Sequence, residues 1–274
     1  MLAALALGGA AFAGSCCVAG ANGDPLWLIG EEVAAVGVAL SGASFYGARS
    51  LGGEVRLDGL SGLDLRLGLR GARRLGDHVQ LGGELPGLLR LSGEPAVVGP
   101  GDARAWAIVE PWSPDDRVAP ALRLGLDAPL SAAAGEAATG LGYGLLRAGL
   151  SVGYAGDTLG LRAAATGLIP YAAEAQNAPG LGVELSLGGV VRLGPTLVTT
   201  ASLGGLVARP GAVDGVVVGA GRADWSAAVG LGWSIDPLTR LDLGLSASVP
   251  LQGVGHNAPL TAAGGASFTR RWIR

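Results

Sequence analysis

The strongest constraint on the fold is a regular alternation of apolar and polar residues over residues 224–249. In its first half, the odd positions from Trp225 to Ile235 are apolar, and the residues between them are small or charged. Because successive side chains of a β-strand point to opposite faces, this period of two predicts a strand. Residues 236–239 have turn chemistry, and the alternation then resumes up to Val249. The stretch therefore predicts a β-hairpin.

The two faces of this hairpin favour a barrel that spans a membrane. One face carries aliphatic residues, Ala and two tryptophans, Trp225 and Trp233, whereas the other carries mostly Asp, Arg, Ser and Gly. A transmembrane barrel presents an apolar face to lipid and a polar face to its lumen. A strand of a soluble β-sandwich has the same period, so the hairpin must recur along the chain before it indicates a barrel.

The pattern does recur, beginning at residue 33. In residues 63–70 leucine alternates with Asp, Arg or Gly, and residues 71–77 are predicted to be a turn. Short connections are predicted after Tyr154, Leu193 and Ile235, and longer ones at residues 169–179, 209–221 and 250–259. Short and long connections alternate in the same way as periplasmic turns and extracellular loops. We therefore predict an all-β protein, a single antiparallel transmembrane β-barrel of about 12 strands that spans residues 33–274.

The composition argues against two other classes of protein. A hydrophobic fraction of 49% and a mean hydropathy of +0.45 are compatible with a helical membrane protein. A helical span, however, needs about 20 consecutive apolar residues, and charged residues interrupt nearly every such window beyond the N-terminus. The 19 basic residues, all of them arginine, are balanced by 22 acidic ones and form no basic patch. Nucleic acid is therefore not an expected partner.

The N-terminal region is predicted to contain two segments ahead of the barrel. Residues 1–13 form an apolar run ending in Ala-Phe-Ala, which is typical of a signal peptide although no basic residue precedes it. A lipoprotein signal ending at Cys16 is the alternative, although the residues before Cys16 match it poorly. Cys16 and Cys17 are the only cysteines and are expected to be an oxidised or idle pair. Residues 14–32 are predicted to lie either in the periplasm or in the barrel lumen.

One part of the chain resembles a known family. Residues 99–104 read Gly-Pro-Gly-Asp-Ala-Arg, the next strand ends at Asp127 before Ala-Pro, and a Gly-rich stretch begins at Thr139. These features resemble the outer-membrane barrel family of putative transporters of the phenol meta-cleavage pathway, and the resemblance covers residues 99–154. It implies a barrel that passes small molecules, hydrophobic ones among them, and it implies no catalytic residue.

Charged residues at inward positions are the candidate functional residues. Both signs are interspersed, so we expect ion pairs across a wet lumen rather than a ring of one charge that selects ions. Between these charges the inward residues are mostly Gly, Ala and Ser, which predicts either a cavity or a lumen plugged by a loop or by the N-terminal segment. The lumen-facing candidates are Asp64, Arg66, Arg70, Glu84, Arg90, Arg123, Asp127, Arg147, Arg162, Glu184, Arg192, Asp224, Arg240 and Asp242.

The predicted function is an outer-membrane channel or transporter for small molecules. The alternatives are a structural or surface-interaction barrel without transport, and a barrel hydrolase that uses serine and histidine. Of the only two histidines, His78 lies at a predicted periplasmic strand end and His256 in a predicted outer loop. A hydrolase would use His256 with a serine within hydrogen-bond reach, and it is disfavoured because a histidine in a solvated loop is far more often not catalytic. We expect no cofactor and no metal site. The expected partners are outer-membrane lipid and a small-molecule solute.

Overall fold

The computed structural model describes twelve stretches of the chain: residues 26–28, 31–49, 55–56, 61–91, 96–111, 117–130, 144–171, 180–209, 211–213, 216–218, 222–250 and 258–274. Residues 1–13, Cys16, Cys17 and His256 lie outside the described residues. None of the described residues belongs to a helix long and apolar enough to cross a membrane.

The described residues form sixteen β-strands. They are β1 (Glu32–Arg49), β2 (Val55–Arg56), β3 (Ser61–Leu75), β4 (Val79–Arg90), β5 (Val97–Pro100), β6 (Ala103–Val109), β7 (Val118–Ala128), β8 (Gly144–Ala155), β9 (Leu159–Tyr171), β10 (Gly182–Arg192), β11 (Leu197–Ala208), β12 (Gly211–Val213), β13 (Val216–Val218), β14 (Arg222–Asp236), β15 (Thr239–Pro250) and β16 (Ala258–Ile273).

Twelve of these strands close into an antiparallel barrel, which confirms the predicted fold. Their order around the barrel is β1, β3, β4, β6 to β11 and β14 to β16. β16 pairs with β1 along almost the full length of both strands, from Glu32 opposite Ile273 to Arg49 opposite Ala258. Of the shorter strands, β2 pairs with β1, β5 pairs with β4, and β12 and β13 pair with each other between β11 and β14.

The connections divide the barrel into two ends. At one end, which we call the short-turn end, tight turns join β3 to β4, β8 to β9, β10 to β11 and β14 to β15. β1 begins and β16 ends at this same end, where residues 110–117 also connect β6 to β7. The remaining connections lie at the other end, the long-loop end. In outer-membrane barrels the short turns face the periplasm.

One predicted turn is placed wrongly by the sequence pattern. Residues 71–77 were expected to be a turn, but β3 continues to Leu75 and the turn is confined to residues 76–78. Ala72 and Arg74 are buried on the same face as the preceding inward residues, so the alternation persists through the arginine-rich end of the strand. The chain then reverses at Gly76, whose φ of 66° is a conformation that favours glycine.

The outer face of the barrel is apolar and exposed. Large apolar residues with more than a third of their surface accessible occur on every barrel strand except β6, and the exposed fractions of Trp225 and Trp233 are both 54%. These two tryptophans lie eight positions apart on β14, about 27 Å along a strand and about 20 Å along the axis at a tilt of ~40°. That height fits the apolar band between the aromatic girdles of outer-membrane barrels. The protein is therefore a barrel of the bacterial outer membrane.

Candidate functional site in the barrel lumen

The fourteen candidate residues all lie on barrel strands, and each is buried or half-buried. They occupy the enclosed face, by which we mean the strand positions that alternate with the exposed apolar ones. The structure joins nine of these side chains in ion pairs. Arg70, Arg123, Arg192 and Asp224 are half-buried on the same face, and Arg162 contacts an aromatic ring.

A chain of ion pairs crosses four neighbouring strands and reaches a fifth. Arg104 Nε lies 2.8 Å from Asp127 Oδ1, and Arg147 Nη2 lies 2.8 Å from Asp127 Oδ2. Arg147 Nη1 extends across β9 to Glu184 Oε2, at 3.1 Å. The side chain of Asp127 is only 5% exposed, so its charge depends on the two arginines that flank it.

The same pattern continues on the strands that precede β6. Glu84 lies directly opposite Arg104 in the β4–β6 pairing and accepts a hydrogen bond from Arg66 Nη2 at 2.8 Å. Nearer the long-loop end, Arg90 Nε lies 3.2 Å from Asp64 Oδ1. β3, β4 and β6 to β10 therefore form one continuous charged surface, which we call the charged wall.

The remaining strands, β11, β14 to β16 and β1, form a different surface. Their charges on the enclosed face are few and include two compact pairs, Arg240 with Asp242 at 2.7 Å and Arg271 with Glu32 at 2.6 Å. Apart from Val198 and Leu206 on β11, the other inward residues of these strands are mostly small or carry hydroxyl groups, and we call this surface the hydroxyl wall. Its hydroxyl residues include Ser41, Thr200, Ser202, Ser226, Ser234, Ser246, Ser248, Thr261, Ser267 and Thr269.

Three residues ahead of β1 lie inside the barrel, and we call them the inner segment. Leu26, Trp27 and Leu28 are 2%, 6% and 0% exposed. They form one apolar cluster with inward residues of both walls, which are Ala35, Ala72, Trp106, Ile108 and Ala121. The burial of two leucines and a tryptophan stabilises this position because each contributes apolar area removed from water.

Polar side chains at the short-turn end hold the backbone of the inner segment. Gln80 accepts a hydrogen bond from Leu28 N at 2.8 Å and donates one to Leu28 O at 2.7 Å. Arg74 Nη2 donates to the same carbonyl oxygen at 2.9 Å. Glu110 accepts hydrogen bonds from Trp27 Nε1 at 2.6 Å and from Gln80 Nε2 at 2.7 Å. The segment is thus bound through both its backbone and its indole.

Two further contacts hold the indoles of this cluster. The guanidinium carbon of Arg162, on β9, lies 4.0 Å from the ring centroid of Trp27, so the segment reaches across the lumen. The ring of Trp106 lies against Gly82, where a Cβ atom would overlap it. A residue larger than glycine at position 82 would displace this indole.

The sequence pattern missed several of the residues that meet at the inner segment. Arg74 fell within the turn expected at residues 71–77, and Gln80, Trp106 and Glu110 were not among the candidates. The alternation of inward and outward positions along each strand is the signal that could have found two of them. Arg74 continues the inward positions of β3, and Trp106 continues those of β6. No sequence pattern indicated that Trp27 would reach Glu110, because these residues are 83 positions apart.

The described residues show no arrangement typical of a metal centre or a serine hydrolase. Within them, no group of three or more His, Cys, Asp or Glu side chains could hold a metal ion. His78 Nδ1 lies 2.9 Å from the backbone oxygen of Glu110, a contact that fixes the ring at the short-turn end.

Comparison with known proteins shows similarity at the level of the fold. No family model matches the chain, and no curated protein matches its sequence. Among solved structures, an outer membrane channel of Pseudomonas putida F1 is similar, with a TM-score of 0.73, 14% identity, and coverage of 88% of this chain and 96% of that one. The NanC porin is also similar, with a TM-score of 0.57, 8% identity, and coverage of 87% and 100%.

Proposed function

We propose that this protein is an outer-membrane channel for small molecules and that the inner segment closes its short-turn end. The observation that carries the proposal is the contrast between the width of the barrel and the size of the side chains on the hydroxyl wall. Side chains fill the interior of a barrel of about eight strands, and twelve strands enclose a wider space. Gly, Ala, Ser and Thr on the hydroxyl wall leave part of that space unfilled.

Hydrophobic solutes are the class that the lumen supports best. The apolar cluster of the inner segment places Trp27, Trp106 and Ile108 inside the barrel, where a solute that displaced the segment would meet them. The resemblance of residues 99–154 to putative transporters of the phenol meta-cleavage pathway supports the same class. The similar solved structures, described as a channel and a porin, agree with passage of solutes.

The inner segment would control the passage of solutes through the lumen. Its release would leave Leu28 N and O without Gln80 and would separate Trp27 from Glu110 and Arg162. Each buried polar group that loses its partner costs about 1–3 kcal/mol, so the segment stays bound until a solute or the solvent replaces those contacts. The wild-type channel is therefore expected to be closed for most of the time.

The test compares Trp27→Ala with Trp225→Ala in planar bilayers, after heat-dependent gel mobility has shown that each barrel is folded. Trp27→Ala should raise the fraction of time in the conducting state, because it removes the indole that contacts Glu110 and Arg162. Trp225→Ala, on the lipid face, should conduct as the wild type does. Phenol, a neutral aromatic probe, should interrupt the current of both variants.

The outcomes separate the channel from its alternatives. A folded barrel that carries no current with or without Trp27 would contradict the proposal and favour a structural or surface-interaction role. Equal currents in the wild type and Trp27→Ala would contradict closure by the inner segment. A current that phenol does not affect would argue against hydrophobic solutes.

A further inference from the structure

The charges of the enclosed face are distributed unevenly along the barrel axis. We count the enclosed-face residues with described side chains that lie within five positions of the strand terminus at the short-turn end. They comprise eight arginines and only four carboxylates, which are Glu32, Glu84, Glu110 and Asp242. Nearer the long-loop end the same face carries three arginines and five carboxylates. The lumen therefore changes from net negative to net positive towards the short-turn end.

The eight arginines of the short-turn half are distributed over both walls. Arg74, Arg104, Arg240 and Arg271 each form an ion pair with a carboxylate. The other four lie on β3, β7, β9 and β10, so the positive charge is spread around the charged wall. They are Arg70, Arg123, Arg162 and Arg192.

Unmatched hydrogen-bond donors lie in the same half. Arg70 Nε, Trp106 Nε1 and Arg240 Nη2 are fully buried nitrogen donors that have no hydrogen-bond acceptor in the described part of the chain. Arg70 and Trp106 lie two strands apart on the charged wall, whereas Arg240 lies on the hydroxyl wall. Buried donors are nearly always paired in folded proteins, so these donors of the short-turn half can each serve an acceptor that enters the lumen. The positive potential there favours an acceptor with negative charge.

We propose that the short-turn half of the lumen binds the carboxylate of a small organic acid with an apolar body. The inference rests on the proposed channel function and adds the charge of the solute. Arginine is suited to this ligand because its planar guanidinium donates two parallel hydrogen bonds to a carboxylate. Once the inner segment has moved, the apolar body packs against Trp106 and Ile108, and Ile108 lies directly opposite Arg123 in the β6–β7 pairing.

The experiment measures block of the single-channel current by benzoate and by benzyl alcohol, its uncharged counterpart. Trp27→Ala serves as the parent, so that the inner segment does not limit the current. KCl is kept near 0.1 M, where screening extends over about 10 Å. We expect benzoate to block at lower concentration than benzyl alcohol, and the current in KCl alone to be larger at one polarity than at the other.

Two variants of the parent locate the effect. Replacing Arg123 and Arg192 by glutamine should weaken benzoate block by roughly tenfold, which is the effect of losing one charged hydrogen bond. Arg90→Gln, which removes one positive charge from the long-loop half where its partner Asp64 also lies, should leave benzoate block within about twofold. Block by benzyl alcohol should be the same in all three proteins.

The results distinguish this inference from the channel function itself. Absence of current in every folded barrel would contradict the channel. A symmetric current with equal block by the two probes would leave the channel intact and overturn the anion site. If the double variant does not fold, salt provides the test: benzoate block of the parent should weaken between 0.1 and 1 M KCl, and an unchanged block would overturn the inference.

Discussion

The charged wall and the hydroxyl wall enclose the same lumen but are held together differently. On the charged wall, Asp127 lies between Arg104 and Arg147 at 2.8 Å from each, and the side chains extend over neighbouring strands. On the hydroxyl wall, the small side chains leave the backbone pairing of β14, β15 and β16 to hold the structure. The two walls therefore have different roles. The charged wall supplies the polar side chains that bind the inner segment, and the hydroxyl wall provides space in the lumen.

The largest expected effect of a substitution is the loss of the central carboxylate of the charged wall. Asp127→Asn leaves Arg104 and Arg147 facing each other with little solvent, and breaking a buried ion pair of this kind costs about 3–5 kcal/mol. The free energy of unfolding in urea, measured in lipid vesicles, should fall by that order. Ser202→Ala on the hydroxyl wall should change it by less than about 1 kcal/mol. Equal losses would show that the two walls are not different in this respect.

The next effect tests which face of the hydroxyl wall meets lipid. Val229 lies at the middle of β14 and is 59% exposed, whereas the adjacent Ala228 is half-buried on the enclosed face. Val229→Arg should destabilise the barrel by about 2–4 kcal/mol, the cost of an arginine at the bilayer midplane. Ala228→Arg, one position away, should cost much less because its side chain enters the lumen. A reversed order of the two losses would contradict the assignment of faces.

A smaller effect is expected from filling the space beneath Trp106 on the charged wall. Gly82→Ala places a methyl group where the indole lies, and overpacking of this kind costs about 1–3 kcal/mol. The shift of Trp106 should loosen the inner segment and increase the single-channel current. Gly153→Ala is the matched control, because a Cβ atom there would meet its nearest neighbour at 3.8 Å. No difference between the two variants would show that Trp106 does not support the segment.

The smallest effect on stability is expected where the hydroxyl wall leaves space. Ala263→Phe on β16 adds a ring to the enclosed face opposite Ala43 and Ser246. The free energy of unfolding should change by less than about 1 kcal/mol, while the single-channel current of the Trp27→Ala parent should roughly halve as the lumen narrows. A large loss of stability with unchanged current would indicate that this wall is packed rather than open.

Period-two alternation was enough to predict the barrel because each strand has one face in lipid and one in the lumen. The hairpin of β14 and β15 shows this most clearly, since Trp225 and Leu245 are exposed while Ser226 and Ser246 are half-buried. Alternation fails where the enclosed face is itself apolar. Trp106 and Ile108 point inward on β6, and only the three-dimensional approach of Leu26 to Leu28 explains their burial.

Long-range contacts made the rest of the site unpredictable from the sequence. The clustering of Arg74, Gln80 and Glu110 depends on the relative register of β3, β4 and β6, and no local pattern encodes that register. The charged candidates could be predicted because the alternation of inward and outward positions depends only on neighbouring residues in the sequence. Their pairing, such as Arg147 with Glu184 across β9, depended on barrel curvature and side-chain reach.

The pairing of the first strand with the last has a consequence for how the chain folds. Arg271 and Glu32 are 239 positions apart, and the backbone oxygen of Glu32 also accepts a hydrogen bond from Arg74, which holds the inner segment. Contacts of such large sequence separation form late, because the loop they close must first lose its freedom. Closure of the cylinder by β16 is therefore expected late in folding. The inner segment is held by side chains that precede β16 in the chain, so those contacts need only the earlier strands, and closure then adds the Arg271–Glu32 pair beside the segment.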